Sequence, residues 1–279
     1  LARSGTARGG GRGYFIQTDA PINPGNFGGA LIDMTGRLIG INTSILTQSG
    51  GSNGIGFAIP ASLVRQFVIQ AQNGNTTFKR PWTGLKGKPV NAEMAQSIGL
   101  SNVNGMLVTA IHPLSPFLQG NFKLGDIIVA IDGNPVSTPA EMLYRLSVSG
   151  LGGEARVTKR AFLDESIVKV PLIAPPNTPA PQITRFSNKS YFPGLVLSTI
   201  NPAVEEKFDL VWGSTGFVIL ETGYSASSIG LQEGDIILAV NGKVLSGPSL
   251  LDSALTLGGG IGVLVIQRGS QRIRLRFRH

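Results

Sequence analysis

The chain has 279 residues, with 38 glycines, 17 prolines, no cysteine and a net charge of +8; 42% is hydrophobic and 14% charged. That length suits about two ordinary domains or three small ones, and the apolar fraction is enough to pack cores, which excludes wholesale disorder. Low charge with abundant glycine favours short strands and tight turns over helical bundles. No apolar run approaches the ~18 residues of a membrane-spanning helix. Without cysteine there is neither a disulfide framework nor thiolate chemistry.

Residues 1–13, LARSGTARGGGRG, carry arginine but no apolar stretch, so they read neither as a signal peptide nor as a domain start; the chain reads as beginning inside a larger fold. Tyr14-Phe15-Ile16-Gln17 predicts a short strand. Ala30–Asp33, a turn at Met34-Thr35-Gly36 and a return over Arg37–Thr43 predict a hairpin. Gly54–Pro60 predicts another strand ended by proline. Ala61–Asn73, with Leu63, Val64, Phe67, Val68 and Ala71 at helical spacing, predicts a helix closed by Gly74.

From about residue 80 a second pattern occurs twice. Gly125-Asp126-Ile127-Ile128-Val129-Ala130-Ile131-Asp132-Gly133 matches Gly234-Asp235-Ile236-Ile237-Leu238-Ala239-Val240-Asn241-Gly242. Each is a buried strand ending in a tight Asp-Gly or Asn-Gly turn. A candidate helix follows each, Thr138–Val148 and Ser249–Leu257. Two copies of one module are therefore expected. Ala174–Pro181, rich in proline, reads as a stiff extended linker between them. Arg272-Ile273-Arg274-Leu275-Arg276-Phe277-Arg278 alternates basic and apolar, which describes a strand with a solvated arginine face. With no aromatic interleaving and no nucleic-acid module, no nucleic-acid partner is expected.

The stretch Ile16–Leu31, including Pro21-Ile22-Asn23-Pro24-Gly25-Asn26-Phe27-Gly28-Gly29, resembles the nucleophile loop of the HtrA family (DegP and DegQ type), trypsin-fold serine proteases followed by PDZ domains. The resemblance continues through Gly36–Thr43, Gly54–Pro60 and the two Gly-Asp-Ile-Ile modules. It implies a mainly β fold: the C-terminal half of a trypsin-like β-barrel (1–79), a first α+β PDZ domain (80–174), a Pro-rich linker (175–187) and a second PDZ domain (188–279).

The family chemistry is acyl transfer, in which a serine attacks, a histidine takes its proton and backbone amides hold the oxyanion. The resemblance assigns the oxyanion loop to Gly25, Asn26 and Phe27. It assigns an apolar substrate pocket to Pro21, Ile22, Ile55, Gly56 and Phe57, residues that also suit ordinary barrel core. The chain departs from the family at Phe27, which occupies the serine position, and a phenyl ring has no proton to lose and no lone pair to attack with. Its two histidines, His112 and His279, match no triad position, and Asp19 is not the triad aspartate. No triad member is intact. Three functions follow as alternatives: a protein of envelope quality control that binds without cutting, an active endopeptidase whose serine codon changed by one base, or a peptide-binding adaptor.

For the PDZ modules the resemblance implies that an extended peptide adds to an edge strand while loop amides hold its terminal carboxylate. Trp82-Thr83-Gly84-Leu85 matches that loop in the first module, with Met142 and Leu146 as candidate groove residues. Phe192-Pro193-Gly194-Leu195 matches it in the second, where Pro193 lacks an N–H, with Leu251 and Leu255 as groove candidates. All four helix residues equally fit a core. Arg3 falls where the family has a regulatory arginine. Unfolded proteins and C-terminal peptides are the implied ligands, a homo-trimer or larger assembly the implied state of the full-length protein, and the periplasm the implied location. No cofactor and no metal are expected.

Overall fold

The computed structural model of the protein describes residues 2–6, 12–45, 56–97, 104–162, 164–256 and 260–278, and the chain divides into two compact units, Leu1–Ala174 and Pro175–His279. The fold is mainly β, built on three antiparallel sheets.

In the first unit, β1 (Ala2–Thr6), β2 (Arg12–Thr18), β3 (Ala30–Ile32), β4 (Leu38–Ile45) and β5 (Gly56–Pro60) form one sheet in the order β1-β2-β5-β4-β3. Helix α1 (Ala61–Gln72) starts directly on Pro60 and ends at Asn73, with Gly74 at φ +81°, the left-handed stop glycine adopts cheaply. The β3–β4 turn is tied by Asp33. Its Oδ1 accepts from the Thr35 N–H, the Thr35 hydroxyl and the Arg37 N–H, at 2.9, 2.7 and 3.0 Å, and Oδ2 accepts from Arg37 Nε at 2.9 Å.

The second sheet uses β6 (Leu85–Pro89), β7 (Met106–Ile111), β8 (Ile127–Ile131), β9 (Asn134–Pro135), β10 (Glu154–Ala161) and β11 (Asp164–Pro171). Its order is β11-β10-β8-β7-β6, with β9 paired to β8, and β6 stands at the end. Helices α2 (Ala92–Ser97) and α3 (Pro139–Ser149) complete it, the latter capped by Thr138 Oγ1 accepting from the Glu141 N–H. Across the first unit, Tyr144 of α3 stacks on Tyr14 of β2 at 4.2 Å and shares a hydrogen bond with Ser62 of α1. Gln66 Nε2 of α1 donates to the Val148 carbonyl at 2.8 Å.

The second unit holds β12 (Ile183–Arg185), β13 (Val196–Thr199), β14 (Phe217–Glu221), β15 (Ile236–Val240), β16 (Ile261–Arg268) and β17 (Gln271–Arg278), each paired with the next. Helices α4 (Pro202–Phe208), α5 (Tyr224–Ser228) and α6 (Leu251–Thr256) pack on it, and a 3-10 turn at Pro248–Leu250 heads α6. Among the described residues no helix is long and apolar enough to cross a membrane.

The repeat seen in the sequence is a repeat of contacts. Asp126 Oδ2 accepts from the Lys123 N–H at 2.9 Å, and Asp235 Oδ2 from the Gln232 N–H at 2.8 Å. Each aspartate meets a base on the neighbouring strand. Lys159 Nζ reaches Asp126 at 3.3 Å, whereas Arg268 holds both oxygens of Asp235 at 2.7 Å. At the far end of each strand, Asp132-Gly133 and Asn241-Gly242 all have positive φ, from 48° to 79°, as the tight primed turn requires. The Asp132 and Asn241 Oδ1 atoms both accept a strand N–H, from Arg156 and Val263, at 2.8 Å.

The segment read as a stiff Pro-rich linker, 175–187, falls within the second unit. Asn201, buried at the start of α4, donates from Nδ2 to Asn177 Oδ1 and the Pro179 carbonyl at 2.9 Å, and β12 is a strand of the sheet. Proline suits this segment because it accepts bonds without needing a partner for an N–H.

Two predictions follow from these contacts. Arg268→Ala leaves a buried carboxylate without its base and should destabilise the second unit by about 2–3 kcal/mol, after allowance for the partly exposed guanidinium. Lys159→Ala, which removes one 3.3 Å contact to Asp126 and a 2.7 Å bond to the Asn121 carbonyl, should cost less; urea denaturation of both variants gives the comparison. The Thr35 and Arg37 donors hold the Asp33 carboxyl at about 2. Because the folded value is depressed, the turn's stabilisation is complete above the ordinary carboxylate range and is lost as pH falls toward 2. An NMR titration of the Asp33 carboxyl should therefore have its midpoint near 2.

Candidate functional site

The loop between β2 and β3 is a 3-10 turn, Pro24–Asn26, followed by Phe27, Gly28 and Gly29. It is fastened to β4 by backbone. The Gly28 N–H donates to the Asn42 carbonyl at 2.8 Å, and the Asn42 N–H to the Gly29 carbonyl at 2.9 Å. Within the loop, the Asn26 N–H donates to Asn23 O, Asn26 Oδ1 accepts from the Asn23 N–H, and Asn26 Nδ2 donates to Pro21 O. Both glycines are required. Gly28 has φ +80°, and a Cβ on Gly29 would lie 2.9 Å from the Asn26 carbonyl oxygen. The loop thus lifts residue 27 out of the sheet: Phe27 has φ −63°, ψ 138° and is 40% exposed.

Asn42 lies beneath this turn. It is buried, its Nδ2 lies 3.5 Å from the Asn26 carbonyl, and its Oδ1 has no hydrogen-bond partner among the described residues. Sequence reasoning passed over it, although an asparagine directly after the apolar run Leu38–Ile41 was a usable signal.

Of the expected pocket residues, the structure brings Ile22 and Gly56 together. Ile22 is 1% exposed and fills the space over Gly56, where a Cβ would come 2.6 Å from Ile22 Cδ1. Pro21 is exposed at the rim. Phe57 is a correction: strand alternation turns its ring to the opposite face, against Phe15 at 6.4 Å, so it does not share the wall made by Ile22 and Gly56. Ile55 lies outside the described residues. So does the side chain of Arg3, whose backbone pairs with Phe15 in β1. Among the described residues no cluster of three His, Asp or Glu is placed to hold a metal.

The Trypsin family matches residues 4–68, the segment that builds this sheet and loop. Over 232 residues the chain is 34% identical to a probable periplasmic serine endoprotease, DegP-like, of Marinomonas sp., covering 82% of this chain and 48% of that protein. It is 34% identical over 266 residues to the periplasmic pH-dependent serine endoprotease DegQ of Escherichia coli, covering 95% of this chain and 56% of DegQ. The chain is similar to serine endoproteases of the DegP and DegQ type over most of its own length. It spans about half the length of the curated relatives it matches. Among solved structures, the HtrA-type protease AlgW with a decapeptide aligns at 36% identity and a TM-score of 0.43, covering 60% of this chain and 52% of AlgW.

The two other loops expected to matter are both well ordered by hydrogen bonds. In the first unit, Thr83 Oγ1 accepts from the Leu85 N–H, the Thr83 carbonyl accepts from Ser115 Oγ at 2.6 Å, and the Gly84 carbonyl from the His112 N–H. Gly84 has φ +57°, and a Cβ there would meet Ser115 Cβ at 2.9 Å. Trp82 is buried against the edge of His112, whose Nδ1 accepts from the Leu114 N–H, so this histidine is built into the loop's support. In the second unit Phe192 and Leu195 are buried, Pro193 is half-buried and Gly194 is exposed with φ +78°.

The candidate groove residues lie on the helix faces turned toward the sheets. Met142 and Leu146 sit in the core of the first unit with Leu85, Met106 and Val108; Leu251 and Leu255 sit in that of the second with Leu195 and Ile219. Each is at most 3% exposed, because the helix face toward the sheet is the face that closes the core.

Gly56→Ala should push Ile22 out of its seat and destabilise the first unit by about 1–3 kcal/mol. Thermal unfolding measures it, and a variant as stable as the parent would contradict this packing.

Proposed function

We propose that this chain serves envelope protein quality control as a binding protein on a protease scaffold. It takes extended peptides and unfolded proteins through two PDZ-like modules and does not cut them. The observation that carries the reading is Phe27, seated and exposed on a loop whose glycines and backbone ties are those a nucleophile would need. A phenyl ring there can fill space but cannot form an acyl-enzyme. The only histidine among the described residues, His112, is held in the wall of the Trp82 loop.

The peptide site is best developed in the first unit. There β6 ends its sheet, α3 packs beside it, and the Trp82–Gly84 loop precedes it directly. An extended peptide adds antiparallel to β6, with its terminal carboxylate at the loop amides. The relatives' names supply the periplasmic location, and the family supplies assembly as a trimer or larger in the full-length protein.

Two measurements test this. A serine-directed fluorophosphonate should not label the chain; stoichiometric labelling of the parent chain would contradict the reading. In fluorescence anisotropy, a peptide with an apolar C-terminal residue should bind, and amidation of its carboxylate should weaken binding about tenfold or more. Equal binding of the amidated form would remove the PDZ mechanism.

A further inference from the structure

The two modules differ at the edge where a peptide would add. In the first unit, the Trp82 N–H donates to the Ile173 carbonyl at 2.8 Å, so the segment before the loop runs to the end of β11. Among the described residues no strand lies on the outer side of β6. In the second unit the corresponding edge, that of β13 after the Phe192–Leu195 loop, is taken by β12.

The way β12 sits there is that of a peptide ligand. It runs antiparallel to β13, with Ile183 opposite Ser198, Thr184 opposite Leu197 and Arg185 opposite Val196. Its other side meets the 3-10 turn Pro248–Leu250 at the head of α6, which packs on both β12 and β13. Its last residues reach the loop. The Phe186 N–H donates to the Leu195 carbonyl at 2.9 Å, and the Gly194 N–H donates to the Phe186 carbonyl at 3.1 Å. Gly194 thus spends on a main-chain carbonyl the amide that would hold a carboxylate oxygen. Phe186 is buried among Phe192, Leu195, Leu251 and Leu255, as an apolar C-terminal side chain would be. By strand alternation Thr184 faces the same way two residues earlier. The outer face is clamped by Arg185, whose guanidinium donates twice to Glu221, both at 3.0 Å. The other end is fixed by the Gln182 N–H to Thr199 Oγ1 and the Thr199 N–H to the Gln182 carbonyl.

We propose that residues Gln182–Phe186 are an internal pseudo-ligand that occupies the peptide groove of the second unit. The inference rests on the PDZ-like reading above and divides labour between the modules. The first is open to peptides, and the second accepts one only when β12 leaves. The competing ligand is an extended peptide with a hydroxyl residue two positions before an apolar C-terminal residue, the pattern of Thr184-Arg185-Phe186.

The test uses the full chain, labelled with nitrogen-15, and the pentapeptide Gln-Ile-Thr-Arg-Phe with a free carboxylate. In the parent chain the peptide should shift the Gly84 amide and leave Gly194 unmoved. Thr184→Pro removes a ladder N–H without touching the core, and should let Gly194 respond with an affinity about tenfold tighter than in the parent. Arg185→Glu, which sets two carboxylates face to face, should act in the same direction and serves if Thr184→Pro fails to fold. A Gly194 response as strong in the parent as in either variant would overturn the proposal. So would a silent Gly194 in a folded Arg185→Glu chain whose Gly84 still responds. Silence at both glycines in every folded variant would overturn the peptide-binding reading itself, and the pseudo-ligand with it.

Discussion

A buried aspartate after a glycine sets the frame of both repeated modules. Asp235 is 1% exposed, yet it is charge-paired and satisfied by Arg268 and the Gln232 N–H. Its own main-chain carbonyl takes the Ile219 N–H, just as that of Asp126 takes the Val108 N–H. One residue therefore fixes a turn, joins two strands and recruits a third through its base. The strand that leaves it, β15 or β8, ends in a left-handed Asn-Gly or Asp-Gly pair, and that turn sets where α6 or α3 begins. The helix packs beside the sheet that this turn closes, so its place is set from a buried carboxylate some distance away. The second module is the more firmly bound of the two because a guanidinium matches a carboxylate with two bonds where an ammonium makes one.

In the protease-like part the equivalent constraint is backbone. The two bonds between Gly28, Gly29 and Asn42 would hold any residue at position 27 in the same place, since neither involves its side chain. The loop's course is thus independent of the side chain at position 27. The same unit is tied to α3 through the Tyr14–Tyr144 stack and the Gln66 bond. The helix beside β6 is therefore one that the protease-like sheet already grips.

Much of this was legible in the sequence because the signals were local. The β3–β4 hairpin, α1 with its terminal Gly74 and the paired Asp-Gly and Asn-Gly turns each rest on a few adjacent residues with strong backbone preferences. What was not legible depended on partners far along the chain. An apolar residue facing a groove and one facing a core share the same helical spacing, so Met142, Leu146, Leu251 and Leu255 could not be assigned until burial placed them in the cores. Phe57 was misplaced for a related reason, since only the pairing of β5 shows which face Ile22 covers. β12 is three residues long after a proline-rich stretch, and nothing within it announces that β13 offers an edge eleven residues later. Asn42 and the Arg185–Glu221 pair are likewise visible only once strands are set side by side.

The account stands on binding without cutting, and both halves can be read from one sample. The chain is incubated with a permanently unfolded protein, the complex is isolated by size-exclusion chromatography, and the bound protein is weighed by mass spectrometry. The account predicts recovery of the unfolded protein at its full mass, still associated with the chain. Fragments that disappear when Phe27 is changed to alanine would contradict it.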